Sequence, residues 1–315
     1  MTGHAAVSAN GSAHSVTPEN PASSDEAAES AAAHNAYIFT FKCEDRLGLL
    51  ARSSGLMYEY GAFVTEVSHF GDSETRLYAS RMVFDDRSLN VNMLEFRQAI
   101  AELARSAGMS WSLRPVSYRP KVLIAVSRED HCLNVLLTRW RSGVLPVDIV
   151  GVVSNHEVCR PLVEFYGIPF HYLPVSKENR ARQEADIMAL ITEKSVDLLV
   201  LARYMQILSD NMCAAMAGRA INIHHSYLPS FKGARPYHQA HQRGVKVIGA
   251  TAHYVTPALD EGPIIVQEVQ AVNHTHTAAD MVNLGHDIEA TALSRAVLLH
   301  VQDRVVLDGE RTIIL

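Results

Sequence analysis

An amide and an imidazole stand two residues apart in the segment Ala220-Ile-Asn-Ile-His-His-Ser226, which is typical of a β-strand. Residues two apart on a strand point to the same side, so Asn222 and His224 should share one face while Ile221 and Ile223 pack on the other. Such a pair can polarise one carbonyl: the amide donates to a developing oxyanion, and a protonated imidazole donates and passes on a proton. The spacing equally allows a structural role, with Asn222 capping a loop and His224 as a hydrogen-bonded core histidine.

A carboxylate follows the next candidate strand of this region. Gly249-Ala-Thr-Ala-His-Tyr-Val255 has the composition of a strand, and Asp260-Glu-Gly-Pro comes shortly after it. Beside His224, Asp260 would raise the pKa of the histidine by charge pairing, and it could hold or deprotonate a water molecule. Taken alone, an aspartate before Gly-Pro more often belongs to a turn and bonds its own backbone.

Histidines concentrated in the same region raise a metal site as an alternative. They are His224, His225, His238, His241 and His253. No H-E-x-x-H motif occurs and no cysteine joins them, so we expect no metal site. The sequence also lacks G-x-G-x-x-G, a P-loop and G-x-S-x-G, which leaves nucleotide-binding and serine-hydrolase functions without a motif.

Alternating strands and helices beyond residue 120 predict a parallel sheet with helices on both faces, a Rossmann-like α/β architecture. It opens with Lys121–Ser127, a continuous apolar strand of the kind that is buried on both faces. Ligands of such sheets bind beyond the carboxyl ends of the strands, which directs attention to polar residues after Ala202, Ile223 and Val255. The further predicted elements are helices near 131–141, 157–166, 177–193 and 277–302, and strands at 147–153, 169–173, 197–202, 247–255 and 264–272.

An N-terminal unit precedes this sheet and has the order βαββαβ of a ferredoxin-like fold. We expect one domain at residues 37–117 and a second at 121–315, separated by a short linker that contains Pro115 and Pro120. The predicted strands are 37–43, 62–70, 76–84 and 111–116, and the predicted helices run from the turn Asp45-Arg-Leu-Gly48 to about 60 and from 91 to 107.

Composition excludes several classes of function. The 315 residues carry a net charge of −6 with 48% hydrophobic and 20% charged residues, which are values of a globular protein. The first 36 residues are rich in Ala, Ser, His and Asn without Lys or Arg, so we expect a disordered, acidic tail. The net charge of the residues after this tail is close to zero, which argues against a nucleic-acid partner. No apolar run reaches the roughly 18–20 residues of a membrane span, so we expect no membrane partner.

The cysteines indicate a reducing compartment. Cys43, Cys132, Cys159 and Cys213 form no C-x-x-C pair, and the sequence has no signal-peptide pattern. We therefore expect reduced, buried thiols in a cytoplasmic protein.

Taken together, these segments resemble the formyltetrahydrofolate-dependent formyltransferases and, within them, the formyltetrahydrofolate deformylase family. The matching segments are Asn222-Ile-His224-His-Ser226-Tyr-Leu-Pro229-Ser-Phe-Lys-Gly233, Gly249 to Val255, and Asp260-Glu-Gly-Pro-Ile-Ile-Val-Gln267. Similarity to the deformylases rests on His225, where the transferases usually have Pro, and on the loop Lys232-Gly-Ala-Arg-Pro-Tyr-His-Gln239. It also rests on residues 37–116 with Asp45-Arg-Leu-Gly48, which look like an ACT domain.

The resemblance implies hydrolysis of 10-formyltetrahydrofolate to formate and tetrahydrofolate, supplying formate for one-carbon and purine metabolism. It implies Asn222, His224 and Asp260 as the catalytic residues, and neither a metal nor a redox cofactor. It further assigns folate contacts to Met205, Gln206, Leu208, Val255 and Thr256, and places His225 and Tyr237 around the attacking water.

The ACT-like unit implies a homo-oligomer, a dimer or a tetramer, and an amino-acid effector at Asp45 and Gly48. Phe63 stands where amino-acid-binding ACT domains commonly have Asn, which favours a role in assembly over one in effector binding.

Two other functions are alternatives. A formyltransferase would need a site for an amine acceptor, but the loop Ser127–Asn134 lacks the glycine-rich phosphate cradle of the ribonucleotide transferase. A folate- or amino-acid-sensing protein without catalysis is disfavoured by the intact set of Asn222, His224 and Asp260.

Overall fold

The computed structural model describes residues 36–226 and 236–315. The predicted tail (1–35 of its 36 residues) and the predicted turn at Leu228, Pro229 and Gly233 lie outside the described residues. The described strands are β1 (Ala36–Glu44), β2 (Phe63–Gly71), β3 (Leu77–Asp85), β4 (Ser110–Pro115), β5 (Lys121–Val126), β6 (Asp148–Ser154), β7 (Phe170–Tyr172), β8 (Leu198–Leu201), β9 (Ala220–His224), β10 (Val247–Tyr254), β11 (Ile264–Ala271), β12 (Val305–Asp308) and β13 (Arg311–Ile314). The described helices are α1 (Leu49–Glu59), α2 (Met93–Ala107), α3 (His131–Arg141), α4 (Arg160–Phe165), α5 (Arg180–Lys194), α6 (Asp210–Ala215), α7 (Pro236–Arg243) and α8 (Ala278–Val301), with a short 3-10 turn at Asp86–Ser88.

The first sheet is antiparallel and has the strand order β2-β3-β1-β4. With α1 and α2 inserted between the strands along the chain, this is the predicted ferredoxin-like βαββαβ arrangement. Alternate residues of β1 and β3 point into a core that both helices cover, and Phe39, Phe84 and Phe96 are fully buried there. The aromatic and β-branched residues of these strands are the ones that fit a half-buried pleated surface.

The second sheet has the order β11-β10-β9-β8-β5-β6-β7. Its strands from β5 to β9 pair in parallel, whereas β10 and β11 form an antiparallel hairpin on the edge beyond β9. Val122 and Ile124 of β5 face a core with α3 and α8, and Leu123 faces a second core with α5 and α6. The prediction that this strand is buried on both faces is confirmed, as is the two-part α/β fold class.

Element boundaries differ from the predicted ones by a few residues, for local reasons. The helix expected from 177 begins at Arg180, because Asn179 accepts from the Ser176 N–H at 2.6 Å and donates to the Pro174 carbonyl at 3.0 Å. Asparagine and serine compete in this way with helical hydrogen bonding. The elements that were not predicted are the 3-10 turn at Asp86–Ser88, the short helix α6, helix α7 and the two strands of the β12–β13 hairpin.

All four cysteines are buried and none forms a disulfide, in agreement with the expected thiols. Along the part of the chain described here, no helix has both the length and the apolarity needed to cross a bilayer.

The segment after α8, residues 302–307, binds the four-stranded sheet through hydrogen bonds and an ion pair. Arg114 on β4 forms an ion pair with Asp303, just beyond α8. Arg81 on β3 donates to the Gln302 carbonyl at 2.9 Å, and Lys42 on β1 donates to the Leu307 carbonyl at 2.8 Å. Burial raises the pKa of Asp303, so this carboxylate depends on the neighbouring guanidinium for its charged form.

Removing this guanidinium should destabilise the protein. Arg114→Met leaves the partly buried carboxylate of Asp303 without its ion-pair partner, which should cost about 1–3 kcal/mol. Urea unfolding measures the change. As the control, Arg76→Met breaks an ion pair with Glu44 whose side chains are 67% and 70% exposed, so it should cost less than about 1 kcal/mol. Equal losses in the two variants would contradict this account of the attachment.

Candidate active site

A cavity of about 220 Å³ opens beyond the carboxyl ends of β8 and β9. This is the edge of the sheet at which the sequence predicted a ligand site. The predicted residues that line it are Asn222, His224, His225, Asp260, Met205, Gln206, Leu208, Val255 and Thr256. The structure thus brings together residues from three separate stretches of the chain, 205–208, 222–225 and 255–260, around one space.

Strand β9 presents its polar residues to this cavity. Ile221 and Ile223 belong to the hydrophobic core, whereas Asn222 and His224 are only partly buried and line the cavity. The antiparallel register of β9 with β10 sets His253 directly opposite Asn222. Directly opposite residues share a face of the sheet, and Asn222 Nδ2 lies 3.3 Å from His253 Nε2.

His253 has a fixed tautomer. Its Nδ1 lies 2.9 Å from the Tyr254 carbonyl, which can only accept, so Nδ1 carries the proton and Nε2 accepts from Asn222. Burial lowers the pKa of His253, which keeps the ring neutral. The histidine therefore orients the Asn222 amide. From the sequence His253 is a candidate only as a metal ligand, because the strand register that pairs it with Asn222 cannot be read from the sequence.

Asp260 lies in the loop between β10 and β11, with its Oδ2 3.2 Å from His224 Nδ1. The hydrogen bond with His224 holds the pKa of this carboxyl below its ordinary value, so Asp260 is ionised. Its backbone has φ = 58°, in the left-handed region that a non-glycine residue seldom adopts. Such strained conformations concentrate at functional sites, where the surrounding structure enforces them.

Gly262 allows the loop to close tightly enough to bring this carboxylate in. A Cβ atom at Gly262 would lie 1.8 Å from the Tyr254 carbonyl oxygen, the same oxygen that accepts from His253. The Tyr254 N–H also donates to the Pro263 carbonyl at 2.9 Å. The Gly-Pro pair after Asp260 and Glu261 thus fixes the position of both Asp260 and His253.

The predicted folate contacts form the apolar wall and rim of the cavity. Leu208 is buried, whereas Met205 is 59% exposed and stands at the rim. The Met205 N–H donates to Ser127 Oγ at 2.9 Å, which fixes the segment after β8 against the end of β5. Val255 and Thr256 close the opposite side at the end of β10. A concave, mostly apolar cavity with a few polar groups is the common form of a small-molecule site.

His225 and Tyr237, the two residues predicted around the water, have different placements. His225 lines the cavity and stacks on His224 with ring centroids 4.8 Å apart. Tyr237 is not among the described residues lining the cavity; it is buried under α8, and its hydroxyl donates to Glu289 at 2.7 Å. Tyr237 therefore makes no direct contact with the cavity among the described residues, and its part in shaping the water pocket stays a prediction.

Acidic and imidazole side chains cluster behind the cavity. Glu129, His131 and His286 form one group spaced for metal ligation, and His131, Cys132 and Glu289 form another. Arg203 lies within the cluster, 2.7 Å from Glu129 and 3.3 Å from Glu289. A guanidinium there already neutralises the carboxylates and repels a cation, so the cluster has the character of an ion-pair network. On α7, His238 and His241 are exposed.

The predicted effector residues of the four-stranded sheet lie on a shallow surface between β1 and α1. Asp45, Gly48 and Tyr78 border it, and Gly48 has φ = 89°, which only glycine adopts readily. The buried Tyr78 hydroxyl finds no hydrogen-bond partner among the described residues.

Known proteins match this chain over both of its large sheets. The formyl transferase family profile matches residues 120–297. Formyltetrahydrofolate deformylase of Corynebacterium sp. (strain P-1) is 45% identical over 279 residues, which cover 89% of this chain and 98% of that protein. The chain belongs to the formyltetrahydrofolate deformylase family.

Solved deformylase structures share the whole arrangement. The formyltetrahydrofolate deformylase of Burkholderia mallei superposes with a TM-score of 0.85 at 43% identity, covering 89% of this chain and 99% of that one. The deformylase of Pseudomonas syringae gives a TM-score of 0.87 at 38% identity, covering 92% and 98%. The match therefore includes the four-stranded sheet as well as the formyltransferase sheet.

The neutral histidines make the stability of this deformylase family member depend on pH. Burial lowers the pKa values of His225 and His300 from 6.5 to about 4. Between these values the unfolded chain binds protons that the folded chain does not, so stability falls as the pH drops from 6.5 to 4.

Substitution of His300 should remove part of that dependence. His300→Gln keeps an acceptor for the Tyr254 hydroxyl, which lies 2.7 Å from His300 Nδ1, but has no proton to bind. Thermal unfolding at a series of pH values should give a shallower fall in Tm for the variant than for the unchanged protein. Parallel curves for the two proteins would show that His300 does not titrate as described.

Proposed function

We propose that this chain hydrolyses 10-formyltetrahydrofolate to formate and tetrahydrofolate. The observation that carries the proposal is the convergence of Asn222, His224 and Asp260 in one cavity at the strand ends, in a chain of the deformylase family. Hydrolysis of this formyl group supplies formate to one-carbon and purine metabolism.

Asn222 and His224 are proposed to stabilise the oxyanion. One N–H of the Asn222 amide is directed at His253 Nε2, which leaves the second N–H for the formyl oxygen. His224 acts here as the protonated imidazolium: its Nδ1–H donates to Asp260, and its Nε2–H donates to the oxyanion. Two donors fixed before substrate binds stabilise negative charge without reorganisation, and each is worth about 10²–10³ in rate.

Asp260 is proposed to orient the attacking water and to accept its proton, directly or through His224. The water oxygen forms a bond to the formyl carbon, and the tetrahedral intermediate collapses as the C–N10 bond breaks. A proton delivered to N10 through His224 lets the amine leave as tetrahydrofolate. The ionised state of Asp260 supports this role, because the hydrogen bond with His224 lowers its pKa.

Neither a metal nor a redox cofactor is assigned to the reaction. Hydrolysis of a formyl C–N bond leaves every oxidation state unchanged. The side chains named above supply the oxyanion donors and the base, and the formyl group is already activated on the folate.

A formyltransferase is the second candidate, and the loop after β5 disfavours it. Ser127 Oγ in that loop is occupied, donating to Asn155 Oδ1 at 2.8 Å and accepting from the Met205 N–H. The carboxylates of Glu129 and Asp130 precede α3, where an acceptor phosphate would otherwise bind at the helix N-terminus.

We further propose that residues 1–36 are a tail, that 37–117 act as an ACT domain and that 121–315 form the catalytic domain. The unpartnered Tyr78 hydroxyl (among the described residues) supports an amino-acid effector at Asp45 and Gly48. Exposed Phe63 and Phe70 on the edge strand β2 support a homo-oligomer, a dimer or a tetramer. The free cysteines support the cytoplasm as its compartment. The near-neutral charge of residues 37–315 supports the absence of a nucleic-acid partner, and no described helix is long and apolar enough for a membrane span.

The first test is to mix the purified protein with 10-formyltetrahydrofolate, without an acceptor, and to measure formate and tetrahydrofolate together. Equimolar release supports hydrolysis. Release only after an amine acceptor is added would identify a transferase, and ligand-induced stabilisation without any release would identify a sensor.

The three catalytic residues should each be required. Asn222→Ala, His224→Ala and Asp260→Ala should each lower kcat by at least about 10²–10³ while the proteins stay folded, because each removes a group that acts in the transition state. Asp186→Ala, in an exposed position on α5, is the matched control and should leave kcat unchanged. Near-normal turnover of any one of the three variants would remove that residue from the mechanism.

A further inference from the structure

Glu289 is a buried carboxylate that the mechanism above does not use. It lies in the middle of α8 and its side chain is 1% exposed. Isolated ionised carboxylates are not tolerated in such a position, so an acidic side chain there needs partners for its whole charge. Glu289 is not among the described residues that line the cavity, so it acts on the reaction through its neighbours or not at all.

The partners of Glu289 come from three different elements. His131 at the start of α3 lies with Nε2 2.8 Å from Glu289 Oε2, and the Tyr237 hydroxyl donates to Oε1 at 2.7 Å. Arg203 Nε lies 3.3 Å from Oε2. Burial alone would raise the pKa of Glu289, but the hydrogen bonds from His131 and Tyr237 and the charge of Arg203 lower it. Glu289 is therefore an anion in the folded protein.

A glycine on the surface of α8 makes room for Tyr237 beside Glu289. Gly285 lies one turn before Glu289, and a Cβ atom there would lie 2.1 Å from Cζ of the Tyr237 ring. The hydroxyl end of the ring thus occupies the space left by the glycine, and the hydroxyl reaches the carboxylate on the next turn.

Arg203 connects Glu289 to the cavity. It follows β8, adopts φ = 62° in the left-handed region, and its side chain is 10% exposed. While Nε faces the carboxylates of Glu289 and Glu129, NH1 lies 3.1 Å from His225 Nδ1. The planar guanidinium can make these contacts at once because its donors point in fixed, divergent directions.

The contact with Arg203 determines the tautomer of His225. A guanidinium can only donate, so His225 Nδ1 must accept, and the proton of the neutral ring sits on Nε2. Burial and then the charges of Arg203 and His224 lower the pKa of His225 to about 4, so the ring is neutral at physiological pH. The ring both stacks on His224 and lines the cavity.

We propose that Glu289 is a positioning residue for hydrolysis. Through Arg203 it holds His225 as a neutral ring protonated on Nε2. That ring places an N–H donor at the cavity wall beside His224, where it binds the attacking water and helps to direct it at the formyl carbon. This inference rests on the proposed hydrolysis and adds to it the group that holds the water opposite Asp260.

The variant Glu289→Gln tests the proposal with two readouts. It removes the charge but keeps the shape, so kcat for 10-formyltetrahydrofolate should fall at least tenfold, while KM changes less than twofold because the folate wall is untouched. In ¹⁵N NMR spectra, His225 should change from one Nε2-protonated tautomer to a mixture. Glu268→Gln is the matched control, because it breaks an ion pair between β11 and Arg295 on α8, the helix that carries Glu289. In this variant kcat and the His225 tautomer should remain unchanged.

A second variant covers the case in which Glu289→Gln does not fold. Arg203→Lys keeps the positive charge between the carboxylates, but an ammonium cannot span them and His225 together. In Arg203→Lys, kcat should fall as far as in Glu289→Gln, and His225 should likewise become a mixture of tautomers. A kcat within twofold of the unchanged protein, or a decreased kcat with the original tautomer retained, would overturn the proposal.

The two readouts also separate this inference from the proposed function. Absence of formate release by the unchanged protein would reject hydrolysis itself before any variant is made. The tautomer of His225 is measured without turnover. Hydrolysis by the unchanged protein with no effect of Glu289→Gln on either readout would therefore reject the positioning role alone.

Discussion

The pairing of β9 with neighbours on both sides is the constraint on which the site depends. Its parallel contact with β8 brings the segment after Leu201 to the same edge as His224, and its antiparallel contact with β10 sets His253 opposite Asn222. A shift of one residue in the β9–β10 register would turn every side chain of one strand to the other face. Ile221 and Ile223 prevent that shift, because it would expose buried core residues.

Charge is accommodated in two layers. Close to the cavity, His224 and Asp260 form a partly exposed pair that can exchange protons with substrate and water. Behind it, Glu289 and Arg203 form a buried pair with hydrogen bonds from His131 and Tyr237, which keeps both groups charged. Buried ion pairs add little to stability, but the loss of one partner is costly, so such a pair holds its neighbours in one arrangement.

Helix α8 connects the parts of the molecule. Its middle carries Glu289 behind the cavity, and the residues after its end receive Arg81 and Arg114 from the four-stranded sheet. The same helix covers the core face of β9 and β10. The four-stranded sheet is therefore attached directly to the end of the helix that carries the buried carboxylate.

The sequence by itself determined the local features. Strand alternation predicted that Asn222 and His224 share a face, apolar patterns predicted the two sheets, and the combined motifs predicted the family. These follow from periodicities and residue types that act over a few positions. Short elements such as α6 and the β12–β13 hairpin escaped prediction, because their few residues carry too weak a pattern and form through contacts with the larger elements.

Only the tertiary structure decided which distant groups meet. His131 and Glu289 are 158 positions apart, and Asn222 and His253 are 31 apart, yet each pair is in hydrogen-bond contact. No periodic pattern relates such positions, because strand register and helix packing are set by the whole core at once. The placement of Tyr237 against Glu289, away from the described lining of the cavity, has the same origin: the notch at Gly285 is formed by another helix.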